Sequence, residues 1–195
     1  MKVLVVHCHP DPDSFIAAAR DRAVATLERR GHEVRVTDLY AEGFRPELSA
    51  WERDHQRDPP DTKPEIAEHV DNLRWCESIV LTYPTWWAGQ PAMLKGWFDR
   101  VWVIGVAYEL PEGSNRIRPL LSNVRRLVVV TTHGSGKLVN MLEGEGGKRV
   151  VTRALRVLCH RSARSIWVAA YGVDRSTPAS RARFLDRVER VMKRL

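Results

Sequence analysis

The chain has 195 residues, 44% hydrophobic and 28% charged, with 12 Gly and 11 Pro. That composition belongs to a globular chain long enough to bury a sizeable core, and it excludes wholesale disorder. The net charge of +7 is lopsided, because residues 148–195 hold 13 Lys and Arg against 3 Asp and Glu. A basic segment of this kind keeps nucleic acid in view until the rest of the chain is read. No apolar run approaches the roughly 18 residues that a membrane-spanning helix needs. The N-terminal stretch MKVLVVHCHPDPDSF has no small-residue cleavage pattern, so no signal peptide is expected. Three widely separated cysteines, Cys8, Cys76 and Cys159, suit neither a disulfide framework nor a zinc ribbon and fit a reducing cytoplasm.

Lys2–His7 (KVLVVH) is too short for a helix and rich in β-branched residues, which predicts a strand buried on both faces. The segment His9–Asp13 breaks it, Ser14 is placed to cap a helix, and Gly31 to stop it. Glu33–Asp38, Ser78–Tyr83, Arg126–Thr132 and Ser165–Ala170 read as four more strands. Helical patterns run over about 65–76, 91–104, 147–161 and 178–194, the last with Thr177 as cap and Pro178 in its first turn. Buried strands alternating with helices predict an α/β fold: a doubly wound, five-stranded parallel sheet of order 2-1-3-4-5 with helices on both faces. No repeat or linker interrupts residues 1–195, so one domain is expected. The stretch 40–63, with Pro46, Pro59 and Pro60, is long enough to be a functional excursion.

In such a sheet the ligand sits beyond the carboxyl ends of the strands. Three loops meet there. The first, His9–Phe15, offers a helix N-terminus with a hydroxyl and free N–H groups, which suits an anion. It lacks a G-x-G-x-x-G fingerprint. The second, Tyr83–Pro91 (YPTWWAGQP), puts two Trp side by side between Pro and Gly, and flat rings over exposed amides suit a planar heterocycle. The third, Thr131–Lys137 (TTHGSGK), has Leu138 where a P-loop needs Ser or Thr, which argues against nucleotide hydrolysis. His7 and His9 alternate on a strand with nothing carboxylate- or Cys-rich at ligand spacing, so no metal is expected. Tyr83-Pro84 and Ala170-Tyr171 stand where a response regulator would need Asp and Lys.

Four blocks in order, HCHPDPDSFIAAA, DLYAEGFRPELS, YPTWWAGQPAMLKGWFDRVW and TTHGSG, resemble the flavodoxin-like NAD(P)H:quinone oxidoreductases. That family includes the DT-diaphorase group and the small bacterial oxidoreductases ancillary to potassium efflux. The resemblance covers about 9–136, with a looser match beyond. It implies a flavin-dependent enzyme that takes a hydride from NAD(P)H as co-substrate and reduces a quinone or similar small-molecule acceptor. Azo-, nitro- and flavin reduction, or a regulatory role docked peripherally on a transporter, stay open as alternatives. His9, Ser14 and Phe15 match the loop holding the flavin phosphate. Pro84, Thr85, Trp86, Trp87 and Ala88 match the loop along the isoalloxazine, and Thr131, Thr132, His133 and Gly134 the loop at its pyrimidine edge. Tyr108 matches an aromatic of the substrate pocket, and His133 is the candidate catalytic side chain.

The chain departs from the pattern in several places. The Tyr and His proposed as a proton relay in relatives are matched by Val139 and Glu145, which puts that relay in doubt. His133 stands where Gly is common, and Ile16 where Asn is. No C-terminal extension matches the mammalian enzymes, which favours FMN over FAD and leaves FAD open. Met93, Leu94, Trp97, Phe98, Val101, Trp102 and Ile104 ring the 91–104 helix, and the resemblance implies homodimers that would bury it. In the C-terminal third, Arg149, Arg153, Arg156 and His160 form one stripe. Arg183, Arg187, Arg190 and Arg194 form another, opposite Phe184, Val188 and Met192. Both read as solvated helix faces, with steering of anionic NAD(P)H as an added effect. Without aromatic interleaving, no nucleic-acid partner is expected.

Overall fold

The computed structural model describes residues 1–58, 63–113 and 115–195. Its centre is a five-stranded sheet of order β2-β1-β3-β6-β7, formed by β1 (Lys2–His7), β2 (Glu33–Asp38), β3 (Ser78–Pro84), β6 (Arg126–His133) and β7 (Arg164–Tyr171). Every pairing is parallel, as the predicted order 2-1-3-4-5 requires. Successive residues of a strand face opposite sides. Leu4, Val6, Ile79, Leu81, Leu127 and Val129 therefore fill one core, packed against α3 (Ala67–Trp75) and α4 (Ala92–Val101). Val3, Val5, Val80, Val128 and Val130 fill the other, against α1 (Phe15–Arg29) and α7 (Pro178–Met192).

Local signals act as read. The Ser14 hydroxyl accepts the Ala17 N–H at 3.3 Å, Thr177 and Ser180 cap α7 reciprocally, and Gly31 takes φ 76° after α1. Three features differ from the sequence reading. The helix expected over 147–161 is broken into α6 (Gly146–Arg149), a π turn (Val150–Leu155) and a 3₁₀ turn (Arg156–Leu158). A two-residue ribbon, β4 (Tyr108–Glu109) with β5 (Arg118–Pro119), is too short to leave a periodic signal. The 40–63 excursion contains a short helix, α2 (Ala50–Asp54), while its Pro59 and Pro60 lie outside the described residues.

That excursion changes the reading of α4. Leu94, Trp97, Phe98, Val101 and Trp102 are buried within the chain, while Met93 and Ile104 are half-buried, so most of the apolar ring is covered by the chain itself. The aromatic members pack edge-on or tilted at 5.6–6.2 Å. Pro46 lies directly on Gly96, where an added Cβ would meet the Pro46 backbone oxygen at 2.2 Å. Arg100 fastens the excursion to α4. It is 5% exposed and donates to Glu52 at 2.7 Å, to Glu65 at 2.7 Å and to the Arg45 carbonyl, with its guanidinium over the Phe44 ring.

Removing one member of a buried ion pair leaves its partner uncompensated. Arg100→Ala is therefore expected to cost about 3–5 kcal/mol in denaturant unfolding. Burial alone would raise the Glu52 carboxyl, but hydrogen bonds from Ser49 and Arg100 outweigh it and hold it below the ordinary carboxylate value. A depressed carboxyl stabilises the fold above its unfolded value, roughly 4.3, and loses that contribution as pH falls through the folded one. Stability should thus fall on acidification below about pH 4.5, and less steeply in Glu52→Gln.

Candidate active site

The register brings the carboxyl ends of β1, β3 and β6 to one edge: His7 lies beside Thr82, and Pro84 beside Thr132. In the β1–α1 loop, His9 Nδ1 lies 3.0 Å from both the N–H and the carbonyl oxygen of Asp11, which anchors the ring to the turn at the rim. Asp13 N–H closes an Asx turn on Asp11 at 2.9 Å. This turn delivers the chain to Ser14, so that the N–H groups of Phe15 and Ile16 open α1 with no acceptor among the described residues. The His9 ring lies 6.2 Å from that of Trp86, so the first loop meets the second.

The second loop is a tight turn. Trp86 and Gly89 exchange N–H···O bonds of 3.1 and 3.0 Å, and Trp87 and Ala88 between them take φ 50° and 58°. Two positive φ angles define a type I′ turn, normally the province of Asn and Gly. The conformation is held from outside: the Gly147 N–H donates to the Ala88 carbonyl at 3.0 Å, and Gln90 donates to the Gly147 carbonyl at 2.7 Å. Gly147 must be small, because a Cβ there would meet Gly89 Cα at 3.2 Å. In consequence Trp87 stands fully in solvent, Trp86 is also exposed, and the Trp87 and Ala88 N–H groups lack acceptors among the described residues.

The third loop is shorter than read, because β6 continues through His133. Thr131, Thr132 and His133 are buried strand residues. Thr85 ties the loops together: its N–H donates to the Thr132 carbonyl at 2.8 Å, and its hydroxyl meets Thr131 Oγ1 at 3.0 Å and His133 Nε2 at 3.5 Å. The His133 ring stacks on Tyr171 at 4.7 Å and 16°. Burial lowers the His133 pKa, opposed by Asn140 beside it and by the Glu145 and Glu143 charges. Gly134 follows with the Asp174 carboxylate against its Cα, where a Cβ would meet Oδ2 at 2.6 Å.

The structure thus brings together His9, Ser14, Pro84, Thr85, Trp86, Trp87, Ala88, Thr131, Thr132, His133 and Gly134. Two predicted residues lie apart from this cluster. Phe15 turns towards α7, its ring tilted against that of Phe184 at 5.5 Å beneath Arg181. Tyr108 lines a groove of about 280 Å³ along α4 with Phe98 and Trp102. His7 is buried on Thr82 at 2.8 Å while His9 is in the loop, so they do not act as a pair. Sequence reasoning missed Tyr171, Trp167, Asn140 and Lys148, all gathered around His133. Their one sequence signal was the position of Trp167 and Tyr171 on the strand beside β6.

A family model described as a flavodoxin-like fold matches residues 1–189. The chain belongs to this family. A ribosyldihydronicotinamide dehydrogenase-like protein of Penicillium crustosum is 31% identical over 157 residues, covering 69% of this chain and 58% of its own length. NAD(P)H dehydrogenase (quinone) 1 of Rattus norvegicus is 30% identical over 168 residues, covering 77% and 60%. The chain therefore spans about three-fifths of the length of these curated relatives. Among solved structures, a Streptococcus mutans protein superposes with a TM-score of 0.88 at 27% identity over 100% of both chains. The NAD(P)H:quinone oxidoreductase of Methanothermobacter marburgensis shares the fold, with a TM-score of 0.83 at 24% identity over 99% and 96%.

Left-handed backbone costs an L-residue about 1–2 kcal/mol and glycine nothing. Ala88→Gly, which keeps the turn's backbone bonds, should therefore stabilise the protein by about 0.5–1 kcal/mol after the entropy of the extra glycine is subtracted. A thermal-unfolding comparison reads this as a higher Tm.

Proposed function

We propose that the chain is a flavin-dependent NAD(P)H oxidoreductase that reduces a quinone or a similar electrophilic small molecule. The observation that carries this reading is the set of N–H groups of Phe15, Ile16, Trp87 and Ala88, without acceptors among the described residues, at one sheet edge beside two exposed indoles. The start of α1 suits a phosphate, with helix-dipole attraction added to the two free donors. The 86–89 turn suits a planar ring, and Thr131, Thr132, His133 and Gly134 suit its polar edge. When bound, a flavin supplies the two-electron carrier between nicotinamide and acceptor. Fixed donors stabilise the charge that builds on the ring, because they need no reorganisation during the reaction. The names of the relatives in rat and Methanothermobacter support the same chemistry, and an FMN-dependent NADH-azoreductase of Bacillus anthracis with the same fold supports azo compounds as further acceptors. Three buried free thiols suit a reducing, cytoplasmic setting. Among the described residues no helix is long and apolar enough to cross a membrane.

The three loops offer donors for the single phosphate and the ring of FMN, which supports FMN. FAD is favoured by one feature beside them, an open pocket of about 470 Å³ bounded by Phe15, Phe184, Arg181, Arg183, Arg187 and Arg190, with no acidic residue in its lining. Such a pocket adjoining the first loop suits a second phosphate and a base. Homodimerisation is supported by the apolar residues left exposed near the site, Trp87, Leu138, Met141 and Leu142. Light scattering of the flavin-loaded protein should give twice the mass of one chain.

Purified protein titrated with FMN or FAD should develop the shifted visible absorbance of bound flavin and then oxidise NAD(P)H in the presence of a quinone. Protein that takes up neither flavin overturns the reading. Arg183→Ala and Arg187→Ala should weaken FAD by about tenfold each and leave FMN unchanged if the pocket holds an adenylate, since a charge-assisted contact contributes about 1.5 kcal/mol.

A further inference from the structure

The 86–89 turn presents the Trp87 and Ala88 N–H groups from left-handed backbone, and its own bonds do not choose that hand. The Gly89 N–H on the Trp86 carbonyl would close a right-handed type I turn as readily as the mirror-image turn found here. Left to themselves, Trp and Ala prefer the right-handed form. The contact that opposes this preference is external: the Gly147 N–H on the Ala88 carbonyl at 3.0 Å. Gly147 is reached through Gly144 at φ 84° and Glu145 at φ 48°, and it lies in a helix of only four residues. Its position therefore needs an anchor of its own. Gln90 supplies one. Its Nε2 donates to the Gly147 carbonyl at 2.7 Å and to the Tyr83 hydroxyl at 3.4 Å. A carbonyl can only accept, which fixes the orientation of the amide. Tyr83 is a fully buried residue of β3, so the start of α6 is tied to the central sheet with the turn held between them.

We infer that Gln90 is a positioning residue of this site: by clamping Gly147 it selects the left-handed 86–89 turn and so aims the Trp87 and Ala88 N–H donors. The inference rests on the oxidoreductase reading given above. Gln90 acts through Gly147 and the Ala88 carbonyl, so a change there alters the direction of the donors and not their number. Direction matters most towards a charged ligand, because hydrogen bonds to an ionised acceptor are about twice as strong as neutral ones. Reduction builds negative charge on a flavin ring, so the clamp bears on the reduced form more than on the oxidised one. Loss of the clamp thus weakens binding and lowers the potential together. Simple loosening of the fold would weaken binding of both forms alike and leave the potential in place. The Gly147 carbonyl also accepts the Val150 N–H, so it stays paired when the Gln90 amide is removed.

The test compares Gln90→Leu, Ala88→Gly and the double variant with the wild type. Without any cofactor, the Ala88 and Gly89 amide resonances in ¹⁵N spectra should move in Gln90→Leu, while those of Phe15 and Ile16 stay. With FMN as the probe, Gln90→Leu should raise the Kd of the oxidised form about tenfold, the scale of one hydrogen bond. The reduced form should lose a further tenfold, which lowers the two-electron potential of the bound FMN by about 30 mV. Glycine enters the left-handed region without help. The double variant should therefore bind FMN at least threefold more tightly than Gln90→Leu, although Trp87 keeps its own strain. Wild-type Kd and potential in Gln90→Leu, or weaker binding at an unchanged potential, overturns the positioning role while leaving the oxidoreductase reading intact. A double variant no better than Gln90→Leu, or Ala88 resonances that do not move, overturns the clamp in the same way. Wild-type protein that takes up neither FMN nor FAD overturns both readings.

Discussion

Because helices cover both faces of the β2-β1-β3-β6-β7 sheet, its inner strands β1, β3 and β6 have no solvated side on which to carry polar chemistry. The chain can place free hydrogen-bonding groups only where strands end, and in a parallel sheet the ends of neighbouring strands coincide. The β3–β6 register extends this edge: it runs to Pro84 and Thr132, and Thr85 adds one further backbone bond to the Thr132 carbonyl. A shift of one residue would turn Thr131 and His133 to the opposite face and separate them from Thr85. The site is therefore a consequence of register, and register is set by the alternating burial of the Val and Leu residues below it.

Above that edge, the 86–89 turn is held in a conformation its own residues do not favour. Trp87 and Ala88 occupy left-handed backbone because the turn is fixed at both ends, through the Trp86–Gly89 bonds and through Gly147. Gly147 starts α6 so close to the turn that an added Cβ would press on Gly89 Cα at 3.2 Å and on the Ala88 carbonyl at 3.3 Å. Strain over-determined in this way accumulates at binding sites, where it presents groups that a relaxed turn would turn inwards. Here those groups are two N–H donors and an indole fully in solvent.

Much of this was legible in the sequence. Five β-branched runs at α/β spacing suffice for the strand order, and Ser14, Gly31 and Thr177 act as caps or stops through local backbone chemistry that needs no tertiary context. What was not legible depends on non-local contact. The apolar ring of α4 suggested a missing partner, but the cover comes from residues 44–52 of the same chain, fastened by Arg100 to carboxylates 35 and 48 residues away. Periodicity cannot reveal such a clamp. Likewise TTHGSG suggested a loop, yet His133 finishes a strand, and its companions Trp167 and Tyr171 come from a strand that carried no chemical signal in one dimension.

The lopsided charge acquires a place by the same argument. Of the three acidic residues in 148–195, Asp186 and Glu189 are drawn to Arg22 at 3.5 and 3.0 Å, Glu189 also to Lys193, and Asp174 lies against Gly134. None of them faces the pocket that Arg181, Arg183, Arg187 and Arg190 share. Arg187 donates to the Ala169 carbonyl and Arg181 to Ser176 at 2.7 Å, so two of the four guanidiniums are anchored by neutral groups that leave their charge uncompensated. All four arginines are exposed on the outer face of α7, and with Ala169, Ala170 and Tyr171 they line this pocket at the carboxyl end of β7. Phe15 brings the first turn of α1 to the same pocket, where the helix dipole adds positive potential of its own. The basic third of the chain thus contributes to the field at the edge where the three loops meet, and the field there favours anions.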